Sequence, residues 1–369
     1  MLGQDINQAL LITIATFITS SFMMPLMKWL ANHIGAIDVP RTEEGNRHIH
    51  KKATPKLGGL GIFLSFLIGY MLFGVASIQM NSILIGSFII VLTGIIDDVK
   101  SLRASHKLVG QIFASCVLVF YGGIILNNIT AFGYSFDFGI WAYPLTIFFV
   151  VACVNIINLI DGLDGLSGGI TSIFYLTIGI IGFFQGRSGS LVMILTFIML
   201  GSTLGFLLHN FYPAKIFAGD CTMFMGFIIA VITLLEFKGT ALTSFFVPLL
   251  ILAIPILDTL FAIIRRSLKG QPIFSADKQH LHHQLLGMNF SQRTTVLIIY
   301  GINILFALAS VFYILKDQYL GIIVYVILFI IVVWFVLHTT IISEKSYKKV
   351  IEIETAVKEK MIKTKKKQK

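Results

Sequence analysis

The sequence predicts an all-α integral membrane protein, a polytopic bundle of about eleven transmembrane helices. Three observations predict it. The 369 residues are 56% hydrophobic and only 12% charged, roughly half the charged share of an ordinary soluble domain. Apolar runs of 17–25 residues recur along the chain, the length at which a helix crosses a hydrocarbon core of about 30 Å. Lys and Arg gather in alternate connections, the pattern that membrane topology imposes. The net charge of +10 does not indicate nucleic acid, because no basic patch interleaved with aromatics occurs in a soluble segment.

In chain order, spans are expected at 8–30, 57–78, 80–96, 107–126, 141–160, 168–186, 188–209, 221–236, 242–266, 294–315 and 319–341. No basic n-region precedes the first and no small-residue cleavage site follows it, so it reads as a span and not a signal peptide. Cys116, Cys153 and Cys221 lack metal-ligand spacing and read as small buried apolar residues. Residues 1–342 form one transmembrane domain. Residues 343–369, with ten Lys, form a basic tail, partly disordered and near anionic headgroups. An odd number of spans puts the termini on opposite sides. One side takes 25 of the 28 Lys and Arg, the other only Arg187, Lys238 and Lys316. The N-terminus is therefore expected outside and the C-terminus in the cytosol.

This topology brings Asp97, Asp98, Asp161, Asp164, Asp220 and the His280–His283 cluster to the cytosolic ends of spans. A transporter is expected to hold ionisable groups near the bilayer midplane. An enzyme that joins a polar cytosolic substrate to a lipid gathers them at one interface, as here.

The densest stretch is 155–169, where Asn155, Asn158, Asp161 and Asp164 recur every third residue. On a helix that spacing makes a slanted polar stripe, costly beside lipid. The alternative is a helix end with a Gly-rich turn. Asp97 and Asp98 end the third span, with Lys107 and Gln111 opening the next. Adjacent like charges disfavour double ionisation, which suits a proton acceptor; the alternative is a solvated acidic helix end. The loop holding Asp38, Arg47, His48, His50, Lys51, Lys52 and Lys56 ends in Pro55 and paired glycines, which suits phosphate capture or ordinary positive-inside charge. Asp220 opens the eighth span as a lone hard-cation ligand or a dipole-favoured charge. Asp258 and Arg265 lie two turns apart on one face and are expected to pair. Of the three histidines that follow, His280 and His283 share a helical face and His282 is expected to turn away. They suit a pyrophosphate or, with less supporting spacing, zinc.

Asp97-Asp98 with Lys107 and Gln111, then Asn155 to Gly165, Gly219-Asp220, and Asp277-Lys-Gln-His280-Leu-His282-His283 stand in the order found in one family. From about Asp38 to Tyr300 the chain resembles the polyprenyl-phosphate N-acetylhexosamine-1-phosphate transferases. It is most similar to the branch that starts wall teichoic acid, O-antigen or enterobacterial common antigen. The resemblance implies transfer of N-acetylglucosamine 1-phosphate from UDP-GlcNAc to undecaprenyl phosphate at the cytosolic face of the bacterial plasma membrane, with loss of UMP. It implies Mg²⁺, with Mn²⁺ as a substitute, held by Asp220 and Asn158. Asp97, Asp98 and Lys107 would act in catalysis. Asn155, Asp161, Asp164, His280, His282, His283, Arg265, His50 and Lys56 would contact substrate. A homodimer is compatible with it. Another UDP-N-acetylhexosamine, or UDP-MurNAc-pentapeptide, is the alternative donor; a transporter or scaffold is the non-enzymatic one. Two departures stand out: Cys221-Thr222-Met223 replaces the usual Gly and Ser after the Asp, and Gln284 stands where Arg commonly follows the histidines.

Overall fold

The computed structural model describes residues 2–39, 53–131, 134–187, 189–237, 242–268, 280–315 and 318–338. His50, the other basic residues of 41–52, Asp277 and the Lys-rich tail fall outside them. The described chain is helical throughout its apolar segments, as hydrocarbon requires of a backbone that must satisfy its own hydrogen bonds. The helices are α1 (Leu2–Ile34), α2 (Gly58–Phe73), α3 (Ile78–Lys100), α4 (Ala104–Cys116), α5 (Ala142–Ile160), α6 (Leu166–Phe184), α7 (Leu191–Asn210), α8 (Met223–Phe237), α9 (Leu242–Ile251), α10 (Ala253–Leu268), α11 (Leu281–Gly287), α12 (Gln292–Leu315) and α13 (Gln318–His338). A π-helical turn, Val117–Tyr121, prolongs α4, and a 3₁₀ turn, Gly219–Thr222, leads into α8. Eight helices among the described residues are long and apolar enough to cross a membrane. The protein is a multi-pass membrane protein.

Three expectations need correction. The ninth span, 242–266, is two helices broken at Leu252. Pro255 has no N–H for the Ile251 carbonyl, and Pro248 repeats the defect two turns earlier. The second span, 57–78, is helical only to Phe73, with 74–77 outside the helix before Ser77 caps α3 by accepting the Met80 N–H. The polar stripe of 155–164 does not run along one helix. α5 ends at Ile160 and the next five residues turn back into α6, so only Asn155 and Asn158 are helical. Two short antiparallel pairs carry no signal in the apolar pattern: β1 (Ile37–Asp38) with β2 (Thr54–Pro55), and the hairpin of β3 (Asn128–Ala131) and β4 (Tyr134–Asp137).

α6, α7 and α8 are the most enclosed helices, about four-fifths buried. α1 lies along α7 and α2, α12 against α6 and α13, and α5 against α8 and α4. The contact of α1 with α7 uses two glycines four residues apart. A Cβ on Gly201 would lie 2.0 Å from Thr16 Oγ1, and one on Gly205 would lie 2.5 Å from the Phe17 carbonyl. Close backbone approach then allows hydroxyl bonds between helices: Ser20 donates to Ser202 O at 2.7 Å, and Ser202 to Ser65 Oγ at 3.0 Å. This rigid trio presents its Asn210 end, and with it the loop that leads to Asp220, to the polar end of the bundle.

Candidate active site

The polar end is assembled from four segments that are far apart in sequence. The central one is the turn 217–222. Its backbone is held by β2 and the start of α2: Phe217 N–H donates to Pro55 O at 2.8 Å, Gly58 N–H to Phe217 O at 2.8 Å, and Gly59 N–H to Ala218 O at 3.0 Å. Gly219 turns through φ +69°, a left-handed conformation that other residues adopt only at a cost. A side chain there would also strike Asp98, whose Oδ2 lies 2.3 Å from the Cβ position. Gly59 and Gly94 flank the turn from α2 and α3, each with its Cβ position within 2.9 Å of Cys221 backbone atoms.

The paired carboxylates at the end of α3 have different surroundings. Both oxygens of Asp98 accept the Asp220 N–H at 3.1 Å, so Asp98 sets the turn. Asp97 accepts the Leu102 N–H at 2.6 Å through Oδ1 and the Lys107 ammonium at 2.7 Å through Oδ2. The same ammonium lies 2.8 Å from Asp220 Oδ1. Asn158 donates to that Asp220 oxygen at 3.2 Å, and Thr222 donates to Asn158 Oδ1 at 2.6 Å. Asp97, Lys107, Asp220 and Asn158 therefore meet at one point. Thr222, one of the departures, joins the network as the donor that orients Asn158.

Asn155 is engaged elsewhere. Its amide exchanges bonds with Gln111, at 2.7 and 3.3 Å, and Gln111 also reaches Met223 Sδ at 3.3 Å. The loop after α5 is braced from both sides. Ser167 donates to Asp161, Asp164 Oδ2 accepts the Ala214 N–H at 2.9 Å, and Gly165 N–H donates to Asn210 Oδ1 at 2.9 Å. Asn210 passes the connection to Ile216 O at 2.9 Å, and Tyr300 of α12 donates to Gly165 O. Lys56 lies 3.4 Å from Asp38 and close enough to Asp161 to act on its charge.

Burial pushes the Asp161 carboxyl up to about 7, opposed by the Ser167 hydroxyl. A raised carboxyl makes the folded state prefer the neutral form. Its charge therefore weighs against folding as pH rises from the ordinary carboxylate range to about 7, and fully above that. Asp161→Asn is expected to raise the midpoint of thermal unfolding in detergent by a few degrees at pH 8, the shift that ~1–2 kcal/mol produces. At pH 5 the gain should shrink; equal gains at both pH values would rule this out.

The histidines are arranged differently from the expectation. His280 precedes α11 and is not helical, so it shares no helical face with His283. Its Nδ1 lies 3.0 Å from Asp258 Oδ2, and the other oxygen of Asp258 accepts the Leu281 N–H at 2.8 Å. Asp258, expected to face Arg265, thus spends both oxygens on the histidine segment. His282, expected to turn away, faces the site: its Nε2 lies 2.7 Å from the Cβ position of Gly162. The His280 and His282 rings are parallel, with centroids 5.7 Å apart. Burial pushes His282 down to about 3, helped by His283, so its imidazole is neutral. Arg265 is buried on α10.

The family model for glycosyl transferase family 4 matches residues 80–236, the stretch that supplies Asp97 to Asp220. A relative from Bacillus subtilis (strain 168), called a probable undecaprenyl-phosphate N-acetylglucosaminyl 1-phosphate transferase, is 36% identical over 336 residues, covering 90% of this chain and 92% of its own. The chain belongs to glycosyl transferase family 4. Further relatives include the decaprenyl-phosphate N-acetylglucosaminephosphotransferase of Mycobacterium tuberculosis (strain ATCC 25618 / H37Rv), 32% identical over 349 residues and 85% of each chain. The undecaprenyl-phosphate alpha-N-acetylglucosaminyl 1-phosphate transferase of Escherichia coli O157:H7 is 27% identical over 307 residues, 78% of this chain and 81% of its own. The Bacillus match, over nine-tenths of the chain, reaches well beyond the stretch covered by the family 4 model.

Among the described residues no three His, Cys, Asp or Glu side chains converge as a metal cage. The donor set does fit Mg²⁺, which takes one or two protein carboxylates and completes its shell with water and phosphate oxygens. Two carboxylates already converge on one cationic group, the Lys107 ammonium.

Proposed function

We propose that this chain transfers N-acetylglucosamine 1-phosphate from UDP-GlcNAc to undecaprenyl phosphate, releasing UMP. The acceptor's phosphate oxygen bonds to the phosphorus that carries the sugar, and the bond from that phosphorus to the UMP oxygen breaks. The single observation that carries the reading is the meeting of Asp97, Lys107, Asp220 and Asn158 beside the braced 161–165 loop. Phosphoryl transfer asks chiefly for alignment and for neutralisation of negative charge, and these groups offer both. Similarity over nine-tenths of the chain to a protein named for this reaction supports it.

Mg²⁺, when bound at Asp220 and Asn158, would neutralise the diphosphate. Lys107 is placed to pass from the two carboxylates to a phosphate oxygen. Asp97, which accepts from Lys107, would take the lipid phosphate proton or, through Lys107, position that phosphate. Asp98 keeps Asp220 in position, and Asp164 with Asn210 fixes the loop beside which the nucleotide would lie. His282 offers a neutral ring against that loop. The Lys and Arg asymmetry supports a site that faces the cytosol of a bacterial plasma membrane. We assign the product to the first membrane step of a cell-envelope glycopolymer, wall teichoic acid in this reading.

The test uses purified full-length protein with Mg²⁺, undecaprenyl phosphate and a panel of UDP-sugars. UMP release is expected with UDP-GlcNAc and only when the lipid phosphate is present. Release with another UDP-N-acetylhexosamine instead would change the donor, and no release with any sugar would overturn the reading.

A further inference from the structure

We infer that Asp258 is a positioning residue for the transfer, acting through His280; this rests on the transferase reading above. Asp258 lies on α10, in the half-span beyond the break at Leu252, and is 8% exposed. Its two oxygens go to His280 Nδ1 at 3.0 Å and to the Leu281 N–H at 2.8 Å, and neither bond reaches the 161–165 loop or the turn 217–222. One carboxylate thus does two things at the start of α11. It receives one of the N–H groups that open the helix and lack an intrahelical partner. It also fixes the orientation of the imidazole immediately before the helix.

With Asp258 Oδ2 as the acceptor of this contact, His280 presents N–H at Nδ1. Its Nε2 is then the nitrogen left for a substrate, directed away from Asp258. The ring is 6% exposed and parallel to that of His282, which rests on the Gly162 position of the loop braced around Asp161 and Asp164. The parallel rings tie the orientation of His280 to that of His282, and so to that loop. The arrangement is a carboxylate–imidazole pair in which the carboxylate orients and the imidazole contacts substrate, the division of labour found where histidine must be held in one tautomer.

Substitution by Asn separates the two tasks. The carboxamide oxygen of the Asp258→Asn variant can still accept the Leu281 N–H, whereas its NH₂ group meets His280 Nδ1 with a donor. In the UMP-release assay, Asp258→Asn is expected to lower kcat about tenfold while the KM for UDP-GlcNAc moves less than about threefold. Asp258→Ala, which loses the helix contact as well, should fall further. The decisive comparison is a cycle with His280→Gln. Residues that act as a unit are not additive, so Asp258→Asn should change kcat by less than about twofold once His280 is already Gln. If the two losses multiply, or if Asp258→Asn retains more than half of wild-type kcat, the inference is wrong. If Asp258→Asn does not yield folded protein, Asp258→Ser, which also removes the carboxylate, takes its place in the same cycle under the same criteria. Wild-type protein run alongside separates this outcome from failure of the transferase reading: no UMP from the wild type overturns the reading, and UMP from the wild type with multiplying losses overturns only the role of Asp258.

Discussion

Asp220→Asn is expected to reduce UMP release by about a thousandfold or more while the protein stays folded in detergent. The side chain keeps its size and can still accept from Asn158 and Lys107, so the change is nearly confined to charge. That charge is what the site needs. Asp220 Oδ1 is the atom on which Lys107 and Asn158 converge, and its backbone is already fixed by Asp98 and by the bonds from the start of α2 to the preceding residues of the turn. Removing one preorganised electrostatic partner from an enclosed site typically costs about 10²–10³ in rate, and loss of the metal ligand proposed above would add to that. The Mg²⁺ concentration for half-maximal activity should rise at least tenfold in whatever activity remains. Near-normal turnover at unchanged Mg²⁺ would remove Asp220 as a metal ligand.

Lys107→Met should lower kcat about a hundredfold by a different route. Met retains the aliphatic stem but leaves Asp97 and Asp220, both within 2.8 Å of the lost ammonium, without their shared cation. Two carboxylates pressed together in a poorly solvated cleft repel, and the lower-cost response is to take up a proton or a cation. Tighter binding of Mg²⁺, measured directly by calorimetry in the absence of substrate, is therefore expected beside the slower turnover. An unchanged Mg²⁺ affinity would mean that Lys107 and the metal do not compete for the same oxygens.

What can be read from the sequence divides along a physical line. Hydrocarbon imposes apolar helices, so where they lie follows from composition, although prolines divide the ninth expected span and the second stops at Phe73. Local polar geometry does not follow in that way. Asn155 to Asp164 keep a three-residue spacing that suggests a single helix, yet Gly162 and Gly165 let the chain leave the helix after Ile160. Asp258 and Arg265 have the right spacing to pair, but the carboxylate reaches His280, 22 residues on, and no spacing rule reports a partner across a loop. His282 lies beside His280 and not turned from it, because His280 stands in an extended conformation before α11 and does not follow helical spacing. Asn210 and Tyr300 escape sequence reading altogether. A single amide at the end of an apolar helix and a tyrosine within another look like ordinary residues until the 161–165 loop is seen to rest on them.

The narrow seat of the 217–222 turn also bears on how loss-of-function substitutions are to be interpreted. Gly59 and Gly94 carry no functional group and lie on separate helices, yet both abut the backbone of Cys221, the neighbour of Asp220. A methyl group at either position would push that backbone, not a side chain that can swing aside. Misplacement of a reacting group by about 1 Å can cost a hundredfold in rate. In a mutational scan these two positions would register as if they belonged to the chemistry. A map drawn from activity alone would place the catalytic machinery on α2, where it has only a support.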